Sequence, residues 1–463
     1  MATLSGNAII EAARSVPVLI DADVAVVGGG TTGPIAAIAA ARQGRRVVLI
    51  ERFGSLGGNL TLGLNTKPSG AIVGGIPLEL WNRARAVGAA GEDYYAATKS
   101  GRVKIASPCD PEVMKMLLVR MCLEAGVRIL FETYVSRPVL EGRTVRGVIV
   151  ENKAGRRFIP AKVVIDCSAD GDIAAQADAP FLMGAGDANE TMQPVTMYFT
   201  MDHVDVEKMV EWARAHPREV PAQSIPATKE GLDYGVWLTG FNGMLKQFQA
   251  DTGIKLQREN ITLKTADGLL YVNATRVVGV NGLDPIAMSD AVAECYRQID
   301  AYVKFLRERI PGFENARIAQ VSPIMGVRET RHIKGEYILT GDDVMKGHGF
   351  DDSIGADASA FDVHDPKGAD VDFQGLKPYE IPYRCLLPLG VEQLIVAGRC
   401  ISADHVAHGR TRNMPACMTT GQAAGIAAAL AVMSNAPVRS LDVGRIQKEI
   451  AGLNMPLKAN QVR

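Results

Sequence analysis

The residues most able to do chemistry begin at Asp23-Val-Ala-Val-Val-Gly-Gly-Gly-Thr-Thr-Gly33 and continue, one helix length later, at Arg46-Arg-Val-Val-Leu-Ile-Glu51-Arg52. Gly28, Gly30 and Gly33 fill a G-x-G-x-x-G pattern. In that pattern the first glycine permits the tight turn, the second lets backbone approach a pyrophosphate, and the third lets helix and strand pack closely. The helix that follows points unpaired N–H groups at phosphate oxygens. Glu51 falls where a carboxylate can accept hydrogen bonds from ribose hydroxyls, and an acid there disfavours a 2′-phosphate. The expected ligand is a dinucleotide, NAD or FAD.

A second set of candidates lies late in the chain. Asn413-Met-Pro-Ala-Cys-Met-Thr-Thr-Gly-Gln-Ala-Ala-Gly425 reads as a helix starting at Pro415, since proline suits the first helical position. Its positive end, aimed at a flavin, would stabilise negative charge at N1 and the C2 carbonyl; the alternative is that Gly421 and Gly425 serve packing alone. Arg412, just before it, could grip a substrate carboxylate or enolate oxygen in a bidentate pair, or pair structurally with an acid such as Asp404. His405 and His408 in the same loop, and His364 in Asp362-Val-His-Asp365, suit proton transfer. Arg328 heads a polar run, Arg328-Glu-Thr-Arg-His332, that follows an apolar stretch. Cys400 and Cys417 read as small buried residues rather than thiol catalysts.

The elements that must position these residues are legible in outline. Val24–Val27 and Val47–Ile50 read as buried strands around a small-residue helix. Asp110–Ala125 carries helical periodicity, Val127–Leu140 reads as strand, and Lys153-Ala-Gly155 marks a hairpin. Ala161–Asp166 and Gln393–Ala397 read as further buried strands, and a long loop is expected after Gly398. Between about 190 and 375 the texture changes: two of the three tryptophans and most histidines lie there, without a glycine fingerprint. The expected fold is α/β, a Rossmann-like dinucleotide domain (1–190 and 376–463) with an inserted α+β substrate or cap domain (191–375).

Composition sets the bounds. The 463 residues carry 47% hydrophobic and 22% charged side chains and a formal net charge of −1, so neither nucleic acid nor an anionic membrane is an expected electrostatic partner. The longest apolar run, Ala423–Met433, is too short to span a bilayer, and Met1–Ala22 lacks signal-peptide character. Seven scattered cysteines never form C-x-x-C, which fits a reduced, cytoplasmic protein. The seven histidines form no ligand pair with nearby acids at helical spacing, so no metal is expected.

The chain resembles the FAD-dependent oxidoreductases of the glutathione-reductase fold class, related to the fumarate reductase and succinate dehydrogenase flavoproteins. The matching stretches are Val26-Val-Gly-Gly-Gly30, Glu51-Arg-Phe-Gly-Ser-Leu-Gly-Gly-Asn59, Val164-Ile-Asp-Cys-Ser-Ala-Asp-Gly-Asp172, Ile381-Pro-Tyr-Arg384, Val396-Ala-Gly-Arg-Cys-Ile-Ser402, Met414-Pro-Ala-Cys417 and Gly421-Gln-Ala-Ala-Gly425. Together they cover roughly half the chain. The resemblance implies that Thr32 and Gly33 bind pyrophosphate, Glu51 and Arg52 the adenosine half, and Gly57, Gly58 and Asn59 the phosphates and flavin. It implies that Val135 presents backbone to adenine, Ser168 and Ala169 close over adenosine and pyrophosphate, and Arg399 and Met414 reach the ribityl chain and flavin.

Two departures bear on chemistry. Relatives that reduce dicarboxylates link flavin covalently to an early-loop histidine, but Gly58-Asn-Leu-Thr-Leu-Gly-Leu-Asn65 has none, so non-covalent FAD is expected. They also carry His-Gly-x-x-Arg, whose spacing His408-Gly-Arg-Thr-Arg412 keeps in a different context. No second glycine fingerprint occurs, so the electron donor or acceptor, itself unidentified, must visit the flavin directly. The expected activity is hydride transfer between flavin N5 and a small polar, anionic substrate, with Arg412, Arg328, His408 and His364 as the candidate catalytic residues. A redox-neutral flavoenzyme (hydratase or isomerase) and an FAD-carrying electron-transfer subunit remain the alternatives, and a homo-oligomer is left open.

Overall fold

The computed structural model describes residues 13–98, 101–188, 190–226, 232–258, 260–266, 268–364 and 377–462, with two short strands at Thr3–Ser5 and Ala8–Ile10. Five parallel strands form the central sheet in the order Leu394–Val396, Val163–Asp166, Val24–Val27, Val47–Ile50 and Arg128–Leu130. The three inner strands are buried along their whole length, as strands covered on both faces must be. A three-stranded antiparallel meander, Tyr134–Glu141, Thr144–Asn152 and Gly155–Pro160, packs beside it.

Two helices built almost wholly of small residues lie together on one face. Gly33–Arg42 packs against Met414–Ser434, where a Cβ on Gly425 would stand 2.2 Å from the Ala36 carbonyl. The backbones approach that closely because nothing larger intervenes. By length and composition Met414–Ser434 could cross a membrane, yet it lies almost wholly inside the protein core.

A separate hydrophobic core, from Met197 to Ala316, belongs to a six-stranded antiparallel sheet in the order Ala222–Ser224, Trp237–Gly240, Ile261–Ala266, Leu269–Asn273, Phe199–Asp202 and Arg317–Val321. Helices Val206–Ala215, Asn242–Thr252 and Pro285–Arg309 cover it. Leu339, Val344, Phe350 and Ile354 instead pack into the first core with Tyr379 and Ile381. The expected boundary between 375 and 376 lies outside the described residues, as does Asp365.

Three local expectations need correction and one holds. Val127–Leu140 is two strands, Arg128–Leu130 in the parallel sheet and Tyr134–Glu141 in the meander, because Glu132 turns the chain at φ 49°. The expected hairpin forms, its turn on Lys153-Ala154 and its return strand starting at Gly155, paired to Asn152. The late helix starts at Met414, so Pro415 is its second residue. The stretch after Gly398 is not all loop: Asp404 accepts from the Ala407 N–H at 2.7 Å and starts a helix, His405–Thr411, that ends at Arg412.

Candidate functional site

The first half of the site forms where the parallel strands end. Gly28 has φ +97°, and a Cβ there would stand 2.4 Å from the Cys167 carbonyl oxygen; a Cβ on Gly33 would be 1.8 Å from that of Gly28. A Cβ on Gly30 would meet nothing within 4 Å. The glycines that turn and pack the loop are thus hemmed in, and the one meant to face a ligand borders open space. Glu51 is 6% exposed and already braces this loop, accepting from the Gly29 N–H at 2.5 Å and the Phe53 N–H at 2.8 Å. Burial pushes its pKa up while those N–H bonds pull it back.

On the next strand Asp166, fully buried, takes the Ser168 hydroxyl at 2.6 Å and the N–H groups of Ser168, Ile173 and Ala174 at 3.0, 2.9 and 3.0 Å. It shapes the turn carrying Ser168 and Ala169, where Ala169 stands at φ +71°. Asp166 lies in the Val164–Asp172 motif, but its bracing role has no local signal. Arg399 reaches across to Asp170, with Nη2 2.5 Å from Oδ1. Thr32 packs under Gly398 and Gly421 at the start of its helix. Gly57 and Gly58 follow with positive φ, Asn59 and Arg52 are exposed, Val135 pairs with Val150 in the meander, and Met414 opens the long helix.

The second half converges on that helix start. Asn413 donates Nδ2–H to the Ala360 carbonyl at 2.8 Å and so staples the 360–364 loop to the helix. Arg412 pairs with Asp362 (Nη2 to Oδ2 2.9 Å) and donates to the Asp362 carbonyl; Asp404, the partner considered from sequence, is occupied as the cap of the preceding helix. The Arg412 charge holds Asp362 well below the usual carboxylate range despite burial. His364 Nε2 lies 2.9 Å from the other Asp362 oxygen. Gln193, missed in the sequence, binds this array: its Oε1 accepts from the His364 N–H at 3.1 Å and from Arg412 at 3.4 Å. Its Nε2 and the Arg412 Nε are buried donors that meet no acceptor among the described residues. Buried donors of that kind call for a ligand oxygen or water.

Arg328 donates to the Pro194 carbonyl at 2.5 Å and the Thr196 hydroxyl at 2.7 Å, which ties it to the 194–196 backbone. Burial and the nearby Arg412 charge lower its pKa to about 10. His408 lies deeper, its ring 4.3 Å from that of His332. Burial first, then His332, lowers the His408 pKa well below that of free histidine. Glu329, also fully buried, is bonded by His332 at 3.0 Å and by His405 at 2.7 Å, and the Glu329 bond raises the His405 pKa. Sequence spacing hid this grouping because its members come from segments some 75 residues apart. Cys400 and Cys417 are buried; burial raises the Cys417 thiol to about 12, as expected of packing residues.

A family model described as FAD dependent oxidoreductase matches residues 23–450. The chain belongs to that family; it is an FAD-dependent oxidoreductase, and its cofactor is FAD. The open face at Gly30, the braced Glu51 loop and the helix start at Met414 fit such a group. Solved structures similar to the chain include a geranylgeranyl bacteriochlorophyll reductase-like protein from Thermoplasma acidophilum (12% identity, 94% of this chain and 83% of that one, TM-score 0.44). Others are the myxobacterial chondrochloren halogenase CndH (14%, 93% and 78%, TM-score 0.46) and p-nitrophenol 4-monooxygenase PnpA from Pseudomonas putida (12%, 93% and 83%, TM-score 0.46). No curated protein matches the chain.

Proposed function

We propose, starting from its membership of the FAD-dependent oxidoreductases, that this enzyme moves a hydride between flavin and a small, polar, anionic organic substrate. The observation that carries the reading is the array of Arg412, Asp362, His364 and Gln193 gathered at the helix start, with two buried donors unmatched by acceptors among the described residues. Bound FAD supplies hydride chemistry at N5.

The protein's residues would do the rest. Arg412 Nε and Gln193 Nε2 would hold a carboxylate or carbonyl oxygen of the substrate, with Asp362 fixing the guanidinium plane. Asp362 would also orient His364, which would take or return the proton of a substrate hydroxyl. Arg328 would keep the 194–196 backbone in place beside them. His408, lacking a polar contact to the substrate side, would act from behind this layer.

The cofactor assignments are proposals of the same kind. Gly28, Gly30, Thr32 and Gly33 would take the pyrophosphate, Glu51 and Arg52 the adenosine, and Gly57, Gly58 and Asn59 the phosphates and flavin. Val135, Ser168 and Ala169 would enclose the adenosine, and Arg399 and Met414 would meet the ribityl chain and ring. Non-covalent attachment is supported by the loop from Gly57 to Asn65, which carries no histidine, cysteine or tyrosine. A glutathione-reductase type of fold, with kinship to the fumarate reductase flavoproteins, is supported by the parallel sheet with its antiparallel meander. Of the cap expected over 191–375, the part up to Ala316 is supported by its separate core, while Leu339–Ile354 packs with the FAD domain. A cytoplasmic location is supported by seven buried thiols with no disulfide among the described residues.

The test is the visible spectrum of purified protein, then anaerobic addition of small hydroxy acids and enoates. Bleaching of the flavin by a substrate whose effect Arg412→Ala abolishes is the expected result. Turnover of a substrate with an unchanged spectrum would overturn hydride transfer in favour of a redox-neutral reaction. Reduction only by a copurifying protein would overturn the small-molecule reading in favour of an electron-transfer subunit.

A further inference from the structure

Behind the proposed substrate layer, Glu329, His332 and His408 bring one carboxylate and two imidazoles together in a fully buried cluster whose ligating atoms all lie within 4.8 Å of one another. Glu329 Oε1 is 3.0 Å from His332 Nε2 and 3.7 Å from His408 Nδ1. His405 Nδ1 approaches the same oxygen at 2.7 Å from a side chain 23% exposed. We propose that Glu329, His332 and His408, with His405 as fourth ligand, bind a divalent transition-metal ion of the zinc or ferrous class.

Three observations converge. First, neither ring nitrogen of His408 has a hydrogen-bond partner among the described residues, although the residue is 1% exposed. An imidazole buried with both nitrogens unsatisfied is costly, and its Nδ1 faces the carboxylate.

Second, His332 Nδ1 lies 2.9 Å from the Ala403 carbonyl, which can only accept. With Nδ1 on that carbonyl, Nε2 is the ring nitrogen turned toward Glu329 Oε1. A shared proton or a metal ion fits between the two atoms at 3.0 Å, and a metal ion would also reach the His408 ring. Holding the outer nitrogen of a ligand histidine on a backbone carbonyl is how proteins orient such rings, and the Gln193 N–H on Glu329 Oε2 at 3.2 Å fixes the carboxylate in the same way.

Third, the spacing suits coordination. Metal–ligand bonds of about 2.1 Å in a tetrahedron place ligand atoms about 3.4 Å apart. The two Glu329–histidine separations of 3.0 and 3.7 Å bracket that value, while His405, at 2.7 Å from the same oxygen, would swing outward to become the fourth ligand. Imidazoles with one carboxylate select zinc or iron over calcium or magnesium, which take oxygen ligands. His405, 23% exposed, is the member nearest solvent. The ion would cross-link the 329–332 segment to the helix His405–Thr411.

The FAD-loaded protein, stripped with chelator and dialysed against Zn²⁺ alone or Fe²⁺ alone under anaerobic conditions, tests this by elemental analysis beside its flavin content. The expected result is about one ion per chain at saturation. His408→Ala and, separately, the milder His405→Gln should each weaken binding tenfold or more and lose the rise in melting temperature that the ion gives wild type. Should His408→Ala fail to fold, wild type and His405→Gln decide. Uptake of neither ion by wild type, or uptake equal in wild type and His405→Gln with no thermal shift, would overturn the proposal and leave a water- or proton-bridged network. Flavin content is read independently, so a metal-free yellow protein sinks the metal site alone, while a colourless protein that takes up zinc sinks the flavin reading alone.

Discussion

Arg412 and Asp362 meet at 2.9 Å although fifty residues separate them, and the same carboxylate holds His364 through its other oxygen. One acid thus sets the direction of both a cation and an imidazole at the start of the Met414 helix. Asp362→Asn should lower stability by about 3 kcal/mol, the low end for a broken buried ion pair, because Arg412 is largely buried while Asp362 is about one-third exposed. Arg412→Lys keeps the charge but loses the planar fork, and kcat/KM should fall at least tenfold with little change in FAD content. Thermal melts and steady-state kinetics on the first substrate that bleaches the flavin check both; unchanged kcat/KM in Arg412→Lys would remove Arg412 from the substrate site.

The fingerprint glycines should divide by environment. Gly33→Ala forces a Cβ to within 1.8 Å of the Gly28 carbonyl oxygen and should cost about 3 kcal/mol or more in stability. Gly30→Val places its branch in open space, so the apo-protein should melt as wild type does while retaining little FAD. Heat release of flavin, set beside a melt of each deflavinated variant, separates the two effects.

Glu51 supports the loop through two N–H groups, and Glu51→Gln puts an amide N–H where one of those donors now points. The lost charged hydrogen bond is worth about 1.5–3 kcal/mol, so the Kd for FAD should rise about tenfold to a hundredfold. Fluorescence titration of deflavinated protein measures it. An unchanged Kd would show that the loop keeps its form without the charge.

At the base of the first strand, Asp23 is held by Arg46 and Lys162, whose hydrogen bonds outweigh its burial and draw its pKa from 3.8 to about 2. A depressed acid contributes stability above its unfolded pKa and loses it as pH falls through the folded value. Urea midpoints should therefore drop between pH 4 and pH 2, and Asp23→Asn should flatten that limb. The contribution is about 1 kcal/mol, since both cations are well exposed.

What could be read without the fold was local and periodic. Gly28, Gly30 and Gly33 announce their turn because backbone sterics leave few other residues able to make it, and Val24–Val27 and Val47–Ile50 announce buried strands by unbroken apolar runs. The small-residue run after Asn413 likewise reads as a helix meant for close packing. Its start was displaced by one residue, because proline is tolerated at either of the first two positions, and the capped helix His405–Thr411 was hidden in polar sequence too short to show a period.

The partners of the reactive groups were a different matter. Arg412, His364, His408 and Arg328 could be chosen from sequence by residue type, yet Asp362 rather than Asp404 holds Arg412, and Gln193 joins the array from far upstream. Glu329, His332, His405 and His408 gather only when the segment after Gly326 is laid against the helix after Asp404. Residue type determines which chemistry a side chain can do, and short-range sterics determine the element carrying it. Which charges are neutralised, which imidazoles lose water and which donors are left for a ligand depends on contacts between distant segments, and only tertiary packing decides those.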